Sequence, residues 1–226
     1  MDAIQKIAVL GDSILKGVQL SPQTSRYIVD NRIDVKKISE KFSVTIRNYS
    51  RFGCTVTKGY EVLQKQLQDP AFCDALVMDF GGNDCDFNWR EISERPDDEH
   101  IPHTPLDVFI TKYREIIDLL KSRGIQPILT TLPPIVPQKF FDWFCKGLNR
   151  ENILKWLGEV NMIYPYQENY SRAVEKIAAD AQVPLIDLRG AFLQYRRFDS
   201  LLCQDGTHPN TEGQGLITST FLEYAW

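Results

Sequence analysis

Val9-Leu10-Gly11-Asp12-Ser13-Ile14 joins a short apolar run to a tight polar turn and then to a helix start. Read outward from that turn, the apolar run begins at Ile7, and four more of the same kind follow at residues 44–46, 75–80, 127–132 and 183–188. Each is short, rich in Val, Ile, Leu or Phe, and bounded by Gly, Pro, Asn or Asp. Such runs read as buried strands of a parallel sheet. Between them lie stretches with apolar residues three and four apart, which predict helices over 57–67, 106–120, 170–181 and 213–224. Arg123-Gly124 supplies a cation and a glycine stop for the second of these. Strands alternating with helices predict an α/β fold around a parallel sheet. Ser13 then projects from the carboxyl edge of that sheet, where open α/β sheets bind ligands. The plain alternative is that Ser13 only caps the helix that follows.

The chain has 226 residues, enough to bury a core without staples. At 43% hydrophobic and 25% charged it has ordinary globular usage, which excludes wholesale disorder. The 26 Lys and Arg against 30 Asp and Glu give −4 and no basic block, a poor basis for neutralising phosphates, so no nucleic-acid partner is expected. No apolar stretch approaches the ~20 residues of a membrane span. The start, Met-Asp-Ala-Ile-Gln-Lys, lacks the basic residues and long apolar core of a secretory leader. The five cysteines are widely spaced with no Cys-x-x-Cys pair, so reduced thiols and a cytoplasmic location are expected, with no structural metal. Two connections are long, at 84–105 and 133–167. The second is rich in aromatics, with a helical spacing over 151–157. Long connections in such a fold often form pocket walls or lids.

Three further segments carry chemistry. In Asp205-Gly206-Thr207-His208, the glycine permits a turn that brings a carboxylate to an imidazole. A serine hydroxyl needs such a base to attack a carbonyl, and the base needs an acceptor on its other nitrogen. Phe80-Gly81-Gly82-Asn83-Asp84 ends the third run with an amide able to donate to an oxyanion. Gly53, after the second run, offers a backbone N–H at the same edge. Read singly, each segment is an ordinary turn. Together they supply every group acyl transfer requires.

These blocks, Gly11-Asp12-Ser13-Ile14, Gly53, Asn83-Asp84 and Asp205-x-x-His208, resemble the four blocks of the SGNH (GDSL-type) hydrolases. They stand in the same order and nearly span the chain, with Ile14 where the family usually has leucine. The resemblance implies a three-layer α/β/α sandwich over residues 1–226, with a five-stranded parallel sheet in the order 2-1-3-4-5. It implies Ser13 as nucleophile, His208 as base and Asp205 as its orienter. The Ser13 and Gly53 N–H groups and the Asn83 side chain would form the oxyanion hole, and no cofactor or metal would be needed. The expected partner is a small-molecule ester, with a short or carbohydrate-linked acyl group.

Two rival readings use the same residues. Asp12, Asn83, Asp84, Asp205 and His208 are possible ligands of a metal-dependent phosphoesterase, although such sites usually recruit several histidines. A non-catalytic binding module on the same fold is the other. Asp12 and Asp84 read more simply as helix caps or turn braces, and Cys85 as a small buried residue. His100 and His103 lie in an acidic loop without metal-ligand spacing. Phe140, Phe141, Phe144 and Trp89 have two readings: the phenylalanines line an acyl pocket and Trp89 stacks on a sugar ring, or all of them simply cover the sheet edge.

Overall fold

The computed structural model describes residues 4–30 and 33–224; residues 1–3, on which the leader expectation partly rests, lie outside these. Along the chain, β1 (Lys6–Gly11) runs into α1 (Ser13–Lys16), and β2 (Val18–Leu20), β3 (Tyr27–Val29), α2 (Val35–Phe42), β4 (Thr45–Asn48), α3 (Val56–Gln66) and β5 (Ala75–Asp79) follow. Then come α4 (Trp89–Glu94), α5 (Leu106–Ser122), β6 (Gln126–Thr130), α6 (Pro137–Phe144) and α7 (Arg150–Leu157). The chain continues through α8 (Ile163–Ala181), β7 (Leu185–Ile186), α9 (Leu188–Leu193) and α10 (Thr211–Glu223).

Five strands form one parallel sheet in the order β4-β1-β5-β6-β7. Counting only its members, this is the order 2-1-3-4-5. The order reverses at β1, so the turn after β1 opens onto the crevice of a topological switch point. Successive strand residues point to opposite faces, and β5 shows the consequence. Leu76 and Met78 pack with Leu63, Phe109, Tyr113 and Val174 from α3, α5 and α8. Ala75 and Val77 pack with Leu15, Ile38, Phe192 and Ile217 from α1, α2, α9 and α10. Helices therefore cover both faces, giving three layers. In α5 the buried residues Phe109, Tyr113, Ile116, Ile117 and Leu120 fall on one stripe. Burying each large side chain contributes about 1.5–3 kcal/mol.

The two long connections are not loops. They contain α4, α6 and α7, which pack on one another in a third apolar cluster around Phe87, Trp89, Ile92, Phe141, Ile153 and Leu157. Asn149 and Asn152 tie it further, donating to the Ser93 hydroxyl and carbonyl, each at 2.8 Å. This cluster sits beyond the carboxyl edge and walls one side of the crevice. The helix expected over 170–181 begins seven residues earlier, at Ile163. Pro165 lies in its first turn, where a missing N–H costs nothing. The run at 183–188 yields a strand of just two residues, because Asp187 accepts the Gly190 N–H and starts α9. The antiparallel hairpin of β2 and β3 was not foreseen.

Candidate active site

Gly11 ends β1 where a side chain has no room: an added Cβ would lie 2.7 Å from the Asp79 carbonyl oxygen. Asp12, not Ser13, is the cap of α1, accepting the Ile14 N–H at 2.8 Å. Ser13 is thus the first helical residue, and its hydroxyl is left for another partner. That partner is His208, whose Nε2 lies 2.8 Å from Ser13 Oγ. The other ring nitrogen, Nδ1, lies 2.7 Å from Asp205 Oδ2.

Asp205 is fully buried. Burial alone would push its carboxyl up. The hydrogen bond from His208, with the N–H groups of Thr207 and His208, outweighs burial and holds it below the usual carboxylate range. Ionised, it can only accept, so Nδ1 carries the proton and Nε2 faces the serine as acceptor. The turn is fixed locally. Cys203 N–H donates to the His208 carbonyl at 2.7 Å, Gly206 N–H to the Cys203 carbonyl at 3.1 Å, and Leu202 bridges Pro209. Gly206 holds a left-handed φ of 73° between carboxylate and imidazole. Two rings that the sequence reading did not place shield the histidine. Tyr27 of the hairpin lies 5.0 Å from it, and Phe52 lies parallel at 6.0 Å, centroid to centroid.

Asn83 comes to the same edge from the loop after β5. Its Nδ2 donates to Asp12 Oδ2 at 2.9 Å, with a longer contact of 3.4 Å to the Cys54 carbonyl. Gly53 sits in the turn after β4 with φ of 68°, and the neighbouring Arg51 N–H donates to the Gly11 carbonyl at 3.0 Å. That bond ties the loop of Gly53 to the turn of Ser13. Asp12, Ser13, Asn83 and His208 all line one cavity of about 260 Å³. Gly53 is not among its lining residues, although Phe52 is.

The remaining candidates are engaged elsewhere. Asp84 accepts the Val56 N–H at 3.0 Å and braces the start of α3; burial raises its carboxyl to about 6. Burial and the nearby Asp79 carboxylate also push Asp12 up, and burial takes Asp79 to about 6. Cys85 is buried and its thiol pushed well up by that burial, which leaves it unreactive. His100 donates to the Arg95 carbonyl and His103 to the Asn83 carbonyl. Among the described residues no three His, Cys, Asp or Glu side chains stand close enough to hold a metal ion. The proposed phosphoesterase ligands are split between separate partners. Phe140 lines the cavity, while Phe141 is buried behind it and Phe144 stacks on Trp89 at 4.1 Å. One face of Trp89 is therefore covered, and its N–H is bound to Asp86 at 2.7 Å, so the sugar platform expected from the sequence is not open on that side.

A sheet-edge hydroxyl backed by an imidazole and a buried carboxylate has the arrangement of a serine hydrolase. The sequence profile of the GDSL-like lipase/acylhydrolase family matches residues 9–216, and the chain belongs to that family, whose members act on carboxylic esters. No curated protein matches the chain in sequence. Its fold is similar to that of the lipase/acylhydrolase from Enterococcus faecalis, with TM-score 0.68 and 20% identity, over 96% of this chain and 93% of that one. It is also similar to a catalytic mutant of Axe2, an acetylxylan esterase from Geobacillus stearothermophilus, with TM-score 0.68 and 17% identity, over 98% and 95% of the two chains. A third likeness is to the acetyl xylan esterase AlAXEase, with TM-score 0.63 and 20% identity, over 95% and 96%. Among the described residues no helix is long and apolar enough to cross a membrane.

Proposed function

We propose that this carboxylic ester hydrolase cleaves short acyl esters through an acyl-enzyme on Ser13, the whole chain acting as one catalytic domain. The observation that carries this reading is the unbroken relay from Ser13 Oγ through His208 to Asp205, at 2.8 and 2.7 Å. His208 Nε2 takes the hydroxyl proton as Oγ attacks the ester carbonyl, and the carbon becomes tetrahedral. The proton then passes to the leaving alcohol, water enters by the same route, and the acid is released.

The developing oxyanion takes the Ser13 and Gly53 N–H groups and the Asn83 amide. Asn83 Nδ2 carries two hydrogens. One is held by Asp12, which fixes the amide plane, and the other has just the 3.4 Å contact with Cys54. That second N–H supports the donor role. A cavity of about 260 Å³ lies at or below the ~300–1,000 Å³ of drug-sized sites, which supports a short acyl group. Acetylated carbohydrate is supported by the two acetylxylan esterases of like fold. All five cysteines are unpaired, which suits a reducing, cytoplasmic setting.

The test is intact-mass analysis after treatment with a fluorophosphonate. One adduct is expected on the native chain and none on Ser13→Ala. No adduct on the native chain overturns the nucleophile assignment.

A further inference from the structure

We propose that Asp86 and the aromatic rings around it form a subsite for a small ammonium group carried by the ester. This rests on the cavity being the ester site, and it names a class of substrate for it. Asp86 lies three residues past Asn83 and lines the same cavity as Ser13 and His208. Beside it on the wall stand Phe87, Trp89, Phe140 and Tyr166. The Phe87 ring is 5.2 Å from Tyr166 and 5.7 Å from Trp89, and Trp89 meets Phe140 edge to face at 6.5 Å. These contacts knit the four rings into one aromatic wall around a single carboxylate.

That carboxylate has neutral partners but no cationic side chain bonded to it. Trp89 Nε1 donates to Asp86 Oδ1 at 2.7 Å, which orients the group without cancelling its charge. Among the described residues no Lys or Arg lines the cavity. None of the ion pairs among those residues involves Asp86. Two further acids, Asp12 and Asp79, share the lining. Burial pushes the Asp86 carboxyl up, with the Phe87 N–H, Trp89 and the neighbouring His103 pulling the other way.

A carboxylate in an aromatic wall with His103 as its basic neighbour and no Lys or Arg paired to it is costly, and an entering cation offsets that cost. Whatever ring face reaches the cavity attracts the same cation. The Gln167 amide on the same wall is already engaged within the protein. Its Nε2 donates to the Pro133 carbonyl at 2.9 Å and its Oε1 accepts from Arg189 at 3.2 Å. Anionic esters meet three acids, and His208 is the one basic side chain among the described lining residues.

Choline acetate and 3,3-dimethylbutyl acetate are isosteres differing in charge on the alcohol side. Betaine ethyl ester and ethyl 3,3-dimethylbutanoate are the matching pair on the acyl side. The experiment compares kcat/KM within each pair, divided by the same ratio for hydroxide. One pair is expected to favour the cation by about tenfold, and Asp86→Asn to bring that ratio to within about twofold of unity. Ratios near unity in both pairs for the native enzyme overturn the proposal, whether or not Asp86→Asn folds. A preference that survives in folded Asp86→Asn overturns the assignment to Asp86. If p-nitrophenyl acetate is not hydrolysed either, the esterase reading has failed on its own. The subsite is then read by tetramethylammonium quenching of tryptophan fluorescence, since Trp89 is bonded to Asp86. Saturable quenching supports the subsite, and its absence overturns it.

Discussion

Replacing Gly206 with alanine adds one carbon between the carboxylate and the imidazole of the relay, and the structure sets the size of the result. The residue holds φ of 73°, a left-handed conformation that costs an L-residue about 1–2 kcal/mol. The new Cβ would also lie 2.7 Å from the Val136 carbonyl oxygen, 2.7 Å from Lys139 Cβ and 2.8 Å from the Phe140 backbone nitrogen. Two of these three are backbone atoms at the start of α6 and cannot rotate away. The turn or the helix must shift, and the Val136 N–H bond to the Gly206 carbonyl, now 2.9 Å, must stretch. Overpacking of this kind costs about 1–3 kcal/mol. The sum is about 2–5 kcal/mol, or a fall in Tm on the order of 10 °C for a chain of this size. Displacing the histidine from Ser13 is expected to lower kcat by about a hundredfold. Gly124→Ala is the control, because it has φ of 70° but nothing within 4 Å of its Cβ, so it carries the conformational cost alone. Calorimetry on both variants, with p-nitrophenyl acetate turnover, separates strain from collision. A Gly206→Ala protein that loses no more Tm than Gly124→Ala and keeps its kcat would refute the reasoning.

Two more predictions concern the carboxyl edge. Asn83→Ala is expected to lower kcat by about 10²–10³ with little change in KM, since its more weakly held N–H acts mainly on the oxyanion. Steady-state kinetics decide this, and full activity removes Asn83 from the site. Asp84, raised to about 6 by burial, binds its proton more tightly folded than unfolded. Its contribution to stability is therefore whole below pH ~4 and is lost as pH rises through about 6. Asp84→Asn should flatten the fall of unfolding free energy over that window by up to about 1.4 kcal/mol per pH unit, read by urea titration. Identical slopes in the two proteins would sink the assignment.

The turns at Ser13, Asn83 and His208 were legible because each combines a buried strand end or tight turn with a residue that chemistry demands. The helical stripe of α5 was legible for the same reason, as its periodicity and its burial coincide. Tyr27 and Phe52 were not. Both are exposed; Tyr27 opens a run of just three apolar residues on a hairpin strand exposed throughout, and Phe52 stands alone in the turn after β4. The helix α2 escaped because Ile38 is its one buried residue; in the structure Asp34 caps it. The Asn83 bond to Asp12 spans 71 residues and depends on which strands are neighbours. Local patterning carries no record of that. Likewise, α4 and α6 bury aromatics against neighbouring segments, so their pattern reads as a loop until the partner segment is known, whereas the helical spacing over 151–157 marked α7.

The loop from Leu202 to Pro209 is closed by its own bridge and also braced by α6, so Asp205 and His208 are aligned within one short stretch of chain. Bringing base and orienter to the nucleophile then reduces to placing one clip against the end of β1. Loops and helices that neither form that docking nor carry Asn83 and Gly53 are free to drift in sequence. Chains that share as little as 17% of their residues with this one can keep the same scaffold on those terms.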